Sequence, residues 1–326
     1  MKEFELFVTE PIPEIEFGLK ILGDARVRIK EKFAEKVPSE DLRDVDAVIA
    51  ADSKITRESL KKADKLIVIG RYGAGVDSVD VQACTEKGIL LINAPGLNAQ
   101  SVAEHVIGLM VAVSKKFRSL DGVVRNGRWA EKRFYMGNEL YEKTLGIIGF
   151  GNIGSRLAKM AQAFGMEIIT YDPYIPQEKV SHLDIKMVDL ESLLKNSDYV
   201  SVNAPLTKET RRLIGEKQLR LMKRDAVMIN TARGGLIDEQ ALVKALEEHW
   251  IAGAGIDVLE NEPVTTHPLF NIENVILTPH TASWTIEAFR RIAVTVCENI
   301  LKTMRGRIPD NLVNPEALTR ARTQTR

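Results

Sequence analysis

Three apolar runs in the sequence each end near a side chain that can carry or stabilise charge. Arg233 follows the run in "MINTARGG", Glu262 lies after "AGAGIDVL", and His280 follows "VILTP". Histidine has a pKa near ~6.5 and can move a proton in either direction at cellular pH. A carboxylate behind an imidazole fixes its tautomer, and arginine holds a carboxylate or polarises a carbonyl with its planar fork. Such a set suits proton transfer at the oxygen of a secondary alcohol or ketone.

Each of the three residues also has a structural interpretation when it is taken alone. Arg233 can be an ion-paired arginine, Glu262 a solvated loop acid, and His280 the capped end of a strand, one of five histidines in the chain. Their shared position favours a site, because each follows a predicted parallel strand. In open α/β sheets, ligands bind at the carboxyl ends of such strands.

A glycine-rich turn precedes these three segments. Gly149, Gly151 and Gly154 form G-x-G-x-x-G in "TLGIIGFGNIGSRLAKM", between an apolar strand and an amphipathic helix. The first glycine permits a tight turn, the second lets the backbone approach a pyrophosphate, and the third lets helix and strand pack closely. The helix N-terminus supplies free N–H groups and positive potential. The pattern predicts a dinucleotide site.

An acidic residue about twenty positions further on indicates which dinucleotide binds. Asp172 ends the next strand, "EIITYD", where a carboxylate accepts hydrogen bonds from both ribose hydroxyls of NAD. The carboxylate would repel a 2′-phosphate, and no arginine follows in "YDPYIPQEK". The sequence therefore predicts NAD(H) rather than NADP(H). The alternative is an ordinary glycine-rich turn, with Asp172 as a cap before Pro173.

The elements that must position these residues alternate along the chain. Continuous apolar runs, typical of parallel strands covered on both faces, are separated by helical segments, several with aspartate at a plausible N-cap. The predicted strands are "ELFVT", "ARVRI", "AVIAA", "KLIVIG", "ILLINAP", "TLGIIGF", "EIITYD", "YVSVNAP", "AVMINTA", "AGAGIDVL" and "VILTPH". The alternation predicts an α/β protein with two doubly wound parallel sheets.

The turn-rich segment "NAPGLNAQS" indicates a domain boundary. It precedes one predicted long helix, "SVAEHVIGLMVAVSKKFRSLDGVVRNG", and a helix after Trp284 could return the chain to the first domain. We expect a flavodoxin-like substrate-binding domain at residues 1–100 and 286–326. A Rossmann NAD-binding domain at residues 101–285 is inserted into it.

The composition excludes several classes of function. In 326 residues, Lys plus Arg and Asp plus Glu each number 45, so no global charge attracts nucleic acid or a membrane surface. The two cysteines have no disulfide or metal-binding spacing, and the apolar run "HVIGLMVAV" is too short to span a bilayer. We expect a soluble cytoplasmic protein without a metal.

The chained motifs resemble the D-isomer-specific 2-hydroxyacid dehydrogenase family. The resemblance is carried, in this order, by "GRYGAGVDSVD", "TLGIIGFGNIG", "VNAPLTKETRRLIG", "MINTARGGLIDEQAL", "AGAGIDVLENEP" and "TPHTASWT", and it extends from about residue 45 to 315. It implies hydride transfer between NAD(H) and C2 of a D-2-hydroxy or 2-keto acid. It also implies a homodimer.

The resemblance implies a role for each matching residue. Arg233 would bind the substrate carboxylate and carbonyl oxygen, His280 would be the acid/base, and Glu262 would be its partner. The backbone N–H groups of Gly73, Ala74 and Gly75 would also bind the substrate carboxylate. Apart from the resemblance, Tyr72 and Trp284 are candidates for aromatic walls of the substrate pocket; the alternative is that either packs between the domains. Besides the glycine loop, the cofactor contacts would be Asn152, Ile153, Asp172, Pro205, Thr231, Ala232, Asp257 and Ala282.

The substrate is left open by two departures from the family's pattern. The motifs are most similar to short D-3-phosphoglycerate dehydrogenases without a regulatory domain, yet Ala50 stands where those usually have an arginine for the phosphate. The histidine loop reads "HTASWT" where "HxGAxT" is expected. Candidate substrates are therefore 3-phosphoglycerate or glyoxylate and hydroxypyruvate. The alternatives are an NAD(H)-sensing corepressor-like protein and a phosphonate dehydrogenase.

Overall fold

The computed structural model describes residues 4–23, 25–180 and 183–321. Residues 1–3 and 322–326, the ends of the predicted substrate-binding domain, lie outside this range. The described chain divides into two compact units, Met1–Asn98 with Trp284–Arg326 and Ala99–Ser283. Within the described residues, no helix combines the length and apolar character needed to cross a bilayer.

The first unit holds a five-stranded parallel sheet. Its strands are β1 Glu5–Val8, β2 Arg26–Ile29, β3 Ala47–Ala50, β4 Val68–Arg71 and β5 Leu90–Ile92. Its α-helices are α1 Glu16–Leu19 and α2 Val81–Glu86, together with a C-terminal helix Ile286–Met304. The strand order β2-β1-β3-β4-β5 is that of a flavodoxin-like sheet. The C-terminal helix packs on this sheet, and its residues Ile292, Val296 and Ile300 belong to the hydrophobic core of the first unit.

The second unit holds a seven-stranded parallel sheet. Its strands are β6 Thr144–Ile148, β7 Glu167–Tyr171, β8 Lys186–Met187, β9 Tyr199–Val202, β10 Val227–Asn230, β11 Gly253–Ile256 and β12 Val275–Leu277. Its helices are α3 Ala99–Ser114, α4 Phe117–Arg125, α5 Asn152–Ala163, α6 Leu190–Asn196, α7 Glu216–Leu221 and α8 Glu239–Glu247. The C-terminal helix of the first unit, Ile286–Met304, follows these in the chain and is called α9. The order β12-β11-β10-β9-β6-β7-β8 is a Rossmann order with one added strand. The order reverses between β6 and β9, where ligands bind in such sheets.

Most sequence predictions of secondary structure are confirmed. Each predicted strand is present, and the two parallel sheets confirm the α/β fold class. The carboxylates of Asp189 and Asp238 cap α6 and α8 by accepting N–H hydrogen bonds from the first turn of each helix. The two-residue strand β8 was not predicted, because a run this short carries no periodicity.

The prediction of one long helix after residue 100 is wrong. The chain breaks between α3 and α4 at Lys116, which has a left-handed backbone with φ of 56°. The carbonyl oxygen of Ser114 accepts a hydrogen bond from the N–H of Asn138 at 3.0 Å, so it is not used to continue the helix. Gly137 lies against that carbonyl, where an added Cβ would be 2.4 Å from the oxygen. A contact distant in sequence thus ends the helix.

Candidate active site

The glycine loop after β6 has the geometry of a phosphate-binding turn. Gly149 has φ of 90°, and an added Cβ would lie 2.8 Å from the N of Ala204. At Gly154 an added Cβ would be 2.4 Å from the carbonyl oxygen of Gly149, so helix and turn approach too closely for a side chain. At Gly151, by contrast, an added Cβ would meet nothing within 4 Å. The backbone of Gly151 therefore faces open space, where a pyrophosphate can approach.

The carboxylate of Asp172 lies beside this turn. Its Oδ2 accepts the N–H of Phe150 at 2.9 Å, and its Oδ1 accepts the N–H of Tyr174 at 2.9 Å. The second bond is the local cap that the alternative interpretation expected. Because each carboxylate oxygen has two acceptor sites, both keep capacity for the ribose hydroxyls. The capping and ribose-binding roles are thus compatible.

Two buried polar atoms at the ends of neighbouring strands are further candidates for hydrogen bonds to a dinucleotide. Among the described residues, Oγ1 of Thr231, after β10, and Oδ1 of Asn203, after β9, have no hydrogen-bond partner. Buried polar atoms without partners are rare and indicate a missing ligand or water. Sequence reasoning did not select Asn203, although it lies in the quoted segment "VNAP". Open glycine backbone, acid and unpaired polar atoms together suit NAD.

The predicted cofactor contacts on the remaining loops are spread over several strand ends. Asn152 and Ile153 begin α5, next to the helix N-terminus. Pro205 is exposed after β9, and Ala232 is partly buried after β10. Ala282 is buried, and its N–H donates to Oδ2 of Asp257 at 2.9 Å. Contact of these residues with the cofactor stays a prediction.

Removing the charge of Asp172 should weaken the preference for NAD. We expect Asp172→Asn to lower the ratio of kcat/KM with NADH to that with NADPH by about tenfold, because the repulsion of a 2′-phosphate is lost while one side-chain oxygen still accepts an N–H. Glu167→Gln is the matched control, since it removes an exposed carboxylate from the opposite end of the same strand. An unchanged ratio in Asp172→Asn would contradict the ribose-binding role.

His280 and Glu262 form a hydrogen-bonded pair at the end of the sheet. Nδ1 of His280 lies 2.7 Å from Oε2 of Glu262, which leaves Nε2 for a reacting group. The hydrogen bond to Glu262 raises the pKa of His280, against the opposite effect of burial. Burial is the largest single effect on Glu262 and raises its pKa. The hydrogen bond and charge of His280, the N–H of Leu259 and the charge of Arg233 together exceed this effect, so the pKa of that carboxyl is lowered. The pair therefore favours an imidazolium beside a carboxylate.

Arg233 lies next to this pair. It follows β10, and its Nη1 donates to the carbonyl oxygen of Ala232 at 2.7 Å. Its positive charge lowers the pKa values of both Glu262 and His280. This effect is smaller than the effect of burial and smaller than that of the hydrogen bond between the two residues. The structure thus brings together the three residues that the sequence separates by up to 47 positions, from 233 to 280.

The loop that carries His280 is held by Asp257, which follows β11 and is only 2 % exposed. Its Oδ1 accepts the hydroxyl of Thr278 at 2.5 Å and the N–H of Thr281 at 2.8 Å. The N–H of His280 donates to the backbone oxygen of Asp257 at 2.8 Å. His105 on α3 completes the cluster, with Nε2 at 3.0 Å from Oγ1 of Thr278. These contacts hold His280 in its left-handed conformation, with φ of 55°.

The contacts of Asp257 bear on its predicted role. Both of its carboxylate oxygens already accept hydrogen bonds from the histidine loop. The structure therefore shows Asp257 as a residue that positions His280, and its contact with the cofactor stays a prediction. Thr278 and His105 were not selected from the sequence, because no local pattern connects α3 to the loop after β12.

The backbone loop after β4, in the first unit, offers two N–H groups. The N–H of Gly73 donates to the carbonyl oxygen of Arg71 at 2.9 Å. Among the described residues, those of Ala74 and Gly75 have no backbone or side-chain acceptor. The side-chain amide of Asn93 donates to the carbonyl oxygen of Ala74 at 2.7 Å and holds the loop in place. Of the three predicted substrate-binding groups, two are thus available.

The two aromatic residues predicted at the substrate meet at Phe289. Tyr72 is 4 % exposed, stacks on Phe289 with centroids 5.6 Å apart, and donates its hydroxyl to the carbonyl oxygen of Phe289 at 2.7 Å. Trp284 contacts the same ring edge-on and is 53 % exposed. Tyr72 is therefore part of the unit's core, while the indole of Trp284 keeps an open face. Substrate contact by either stays a prediction.

The fold and these residues define a class of protein, a nicotinamide-dinucleotide-binding α/β protein with a charged His–Glu–Arg set. Comparison with known proteins makes the class specific. Residues 107–282, more than half of the chain, match the family model described as "D-isomer specific 2-hydroxyacid dehydrogenase, NAD binding domain".

Similar proteins extend the match over nearly the whole chain. A D-3-phosphoglycerate dehydrogenase of Methanocaldococcus jannaschii is 44% identical over 317 residues, which are 95% of this chain and 59% of that protein. A glyoxylate reductase of Thermococcus litoralis is 41% identical over 334 residues, 97% of this chain and 98% of that protein. The crystal structure of the D-lactate dehydrogenase of Aquifex aeolicus with NAD and lactic acid has a TM-score of 0.85 and 31% identity, and the match covers 95% of this chain and 99% of that one.

The chain belongs to the D-isomer-specific 2-hydroxyacid dehydrogenase family, whose members are NAD-dependent oxidoreductases. The family prediction from the sequence motifs and the prediction of NAD as cofactor are thereby confirmed.

Proposed function

We propose that the protein interconverts 2-keto acids and D-2-hydroxy acids with NAD(H). The observation that carries this proposal is the pair formed by His280 and Glu262, 2.7 Å apart, beside Arg233 on the sheet that also holds the glycine loop. A sensor of the cofactor needs only the loop and Asp172, whereas the pair adds a proton donor. Oxidation of NADH that depends on an added 2-keto acid is the direct test.

Each of the three charged residues has one task in this reaction. Nε2 of His280 donates a proton to the carbonyl oxygen during reduction and takes the hydroxyl proton during oxidation. Glu262 holds the imidazole through Nδ1 and stabilises its charged form. Arg233 binds the substrate carboxylate and polarises the carbonyl. The glycine loop and Asp172 would hold the cofactor, which when bound would supply the hydride as NADH and accept it as NAD⁺.

Two kinds of substrate are supported by the similar proteins. One is 3-phosphoglycerate, which the name of the M. jannaschii relative gives, and the other is glyoxylate, which the name of the T. litoralis relative gives. Hydroxypyruvate is a further candidate on the glyoxylate side. The chain spans 59% of the first relative's length and 98% of the second's. Both classes share a carboxylate next to the carbon that is a carbonyl in the keto acid and a secondary or primary alcohol in the hydroxy acid, which the three residues would bind.

A homodimer is part of the proposal, with no role for nucleic acid or a membrane. Large apolar side chains are exposed along the segment from α4 to β6, namely Phe117, Trp129, Phe134, Met136 and Tyr141. Clusters of exposed apolar residues of this kind mark protein interfaces. A second copy of the chain would cover this segment.

The pH dependence of reduction tests the role of Glu262. Reduction needs protonated His280, and because Glu262 raises the pKa of His280, activity should persist above the pH at which an ordinary histidine loses its proton. Glu262→Gln removes the charge, so the alkaline limb of the kcat profile should move to lower pH, with kcat about 10²-fold lower. Glu260→Gln, an acid in the same loop, is the control. An alkaline limb that does not move would contradict the pairing.

A further inference from the structure

The second unit contains a second pair of a histidine and a carboxylate. Nε2 of His267 is 3.2 Å from Oε2 of Glu239, and the two side chains are only 12% and 18% exposed. Nδ1 of His267 accepts the N–H of Leu269 at 3.2 Å, so the proton of the neutral ring is on Nε2. The imidazole therefore donates to Glu239. The reaction assigned to His280 uses neither residue.

The other carboxylate oxygen of Glu239 holds the loop that carries Glu262. Glu239 is the first residue of α8, and its Oε1 accepts the N–H of Glu260 at 2.6 Å. The N–H of the preceding residue, Leu259, donates to Oε1 of Glu262 at 2.6 Å. The two N–H groups belong to consecutive residues. The bond to Glu239 therefore restricts the direction of the N–H that holds Glu262.

The same loop packs against the segment that carries Arg233. A Cβ added to Gly234, the next residue, would lie 2.1 Å from the carbonyl carbon of Leu259 and 2.3 Å from the N of Glu260. The peptide group between Leu259 and Glu260 thus rests directly on the glycine backbone. Its N–H is bonded to the side chain of Glu239. One peptide group therefore connects the start of α8 with the segments of both Arg233 and Glu262.

The side chain of Glu260 contributes little to this arrangement. Its carboxylate lies 3.3 Å from Arg211 and 3.8 Å from Arg212, and both arginines are more than half exposed. Arg212 also lies 3.6 Å from Asp238. Exposed ion pairs of this kind have small energetic value, because solvent screens them. The contact that holds the loop is made by the backbone N–H of residue 260, which a substitution of the side chain keeps.

We propose that Glu239 and His267 are positioning residues for the pair of His280 and Glu262. His267 holds the carboxylate of Glu239, and Glu239 holds the loop from which Glu262 reaches His280. Such support matters because a displacement of about 1 Å in a reacting group can cost 10²-fold in rate. The proposal rests on the proposed function and adds two residues to its machinery.

Two substitutions of His267 separate positioning from capping. Glutamine places its amide near the position of Nε2 and can still donate to Glu239, whereas asparagine places its oxygen near Nδ1 and keeps only the cap on Leu269. Neither changes the charge of Glu239. His267→Gln should keep kcat within about twofold, while His267→Asn should lower it about fivefold and move the alkaline limb of the kcat profile to lower pH. Equal profiles, or the reverse order, would overturn the proposal.

Glu239→Gln should have a larger effect. Glutamine offers one acceptor oxygen to two donors, the N–H of Glu260 and Nε2–H of His267. We expect kcat to fall about tenfold and the alkaline limb to move in the same direction as in Glu262→Gln. Glu247→Gln removes an exposed acid from the other end of α8 and should change neither quantity. A lower melting temperature of Glu239→Gln with an unmoved alkaline limb would show a purely structural role and overturn the proposal.

The alkaline limb reports on the arrangement around His280. Among the described residues, the charged groups that act on it are Glu262, Arg233 and Asp257, and His105 lies 3.7 Å from Asp257. The substitutions at positions 239 and 267 change none of these groups. A limb that moves in these variants therefore reflects a change in how Glu262 is held against His280.

NMR titration separates this proposal from the proposed function. The pKa of His280 can be measured from its imidazole resonances in the protein with bound NADH, whether or not a keto acid is reduced, and the loss of these resonances in His280→Asn assigns them. A lower pKa of His280 in His267→Asn and Glu239→Gln, but not in His267→Gln or Glu247→Gln, would support the proposal. The same pKa in all four variants would overturn it, even in a protein that reduces keto acids.

Discussion

His280→Asn should lower kcat/KM for the reduction of a 2-keto acid by about 10³-fold, while the Kd for NADH stays within about twofold of the unmodified value. The large loss follows from the removal of the group that donates the proton at the carbonyl oxygen. Asparagine is chosen because His280 has φ of 55°, and asparagine tolerates this left-handed conformation better than alanine. Steady-state rates and the fluorescence of bound NADH measure the two quantities.

The chain supplies a close control for this substitution. His249 is exposed and also left-handed, with φ of 54°, but it lies after α8, away from the other charged residues of the site. His249→Asn should leave both kcat/KM and the Kd for NADH unchanged. Turnover by His280→Asn at a rate close to that of the unmodified protein would show that another group donates the proton.

Arg233→Lys should lower kcat/KM by about 10²- to 10³-fold, although the positive charge is kept. The planar guanidinium can hold a carboxylate with two parallel hydrogen bonds, whereas an ammonium acts as a single point charge. We expect the loss in both KM and kcat, because the same group binds the carboxylate and polarises the carbonyl during the reaction. Initial rates over a range of keto-acid concentrations separate the two parameters.

A nearby arginine provides the control for the second substitution. Arg211 is 55% exposed and lies 3.3 Å from Glu260, so its role is a surface ion pair of small energetic value. Arg211→Lys should change kcat/KM by less than about twofold. An Arg233→Lys variant with unchanged KM and kcat would contradict the assignment of Arg233 to the substrate.

The sheets could be predicted from the sequence because their strands are buried on both faces. Runs such as Ala47–Ala50 and Val227–Asn230 are apolar at nearly every position and stand between turn residues, which is a signal carried by the segment itself. The end of α3 could not be predicted in this way. It depends on the hydrogen bond between Ser114 and Asn138, which are 24 positions apart.

The same distinction applies to the site. Gly149, Gly151, Gly154 and Asp172 belong to one strand–helix–strand segment, so their spacing was informative. The contacts that hold the His280 loop join Asp257 and Thr278 to His105, which is 173 positions from Thr278. Residues that cooperate only in the folded chain leave no local pattern.

The oxidation of NADH in the presence of single 2-keto acids tests the central claim most directly. The absorbance of NADH would be followed with glyoxylate, hydroxypyruvate, pyruvate and bulkier 2-keto acids, and the glycerate formed from hydroxypyruvate would be resolved by chiral chromatography. The account predicts keto-acid-dependent oxidation and D-glycerate as the product. Binding of NADH without oxidation by any of these acids would contradict it and would favour a protein that senses the cofactor.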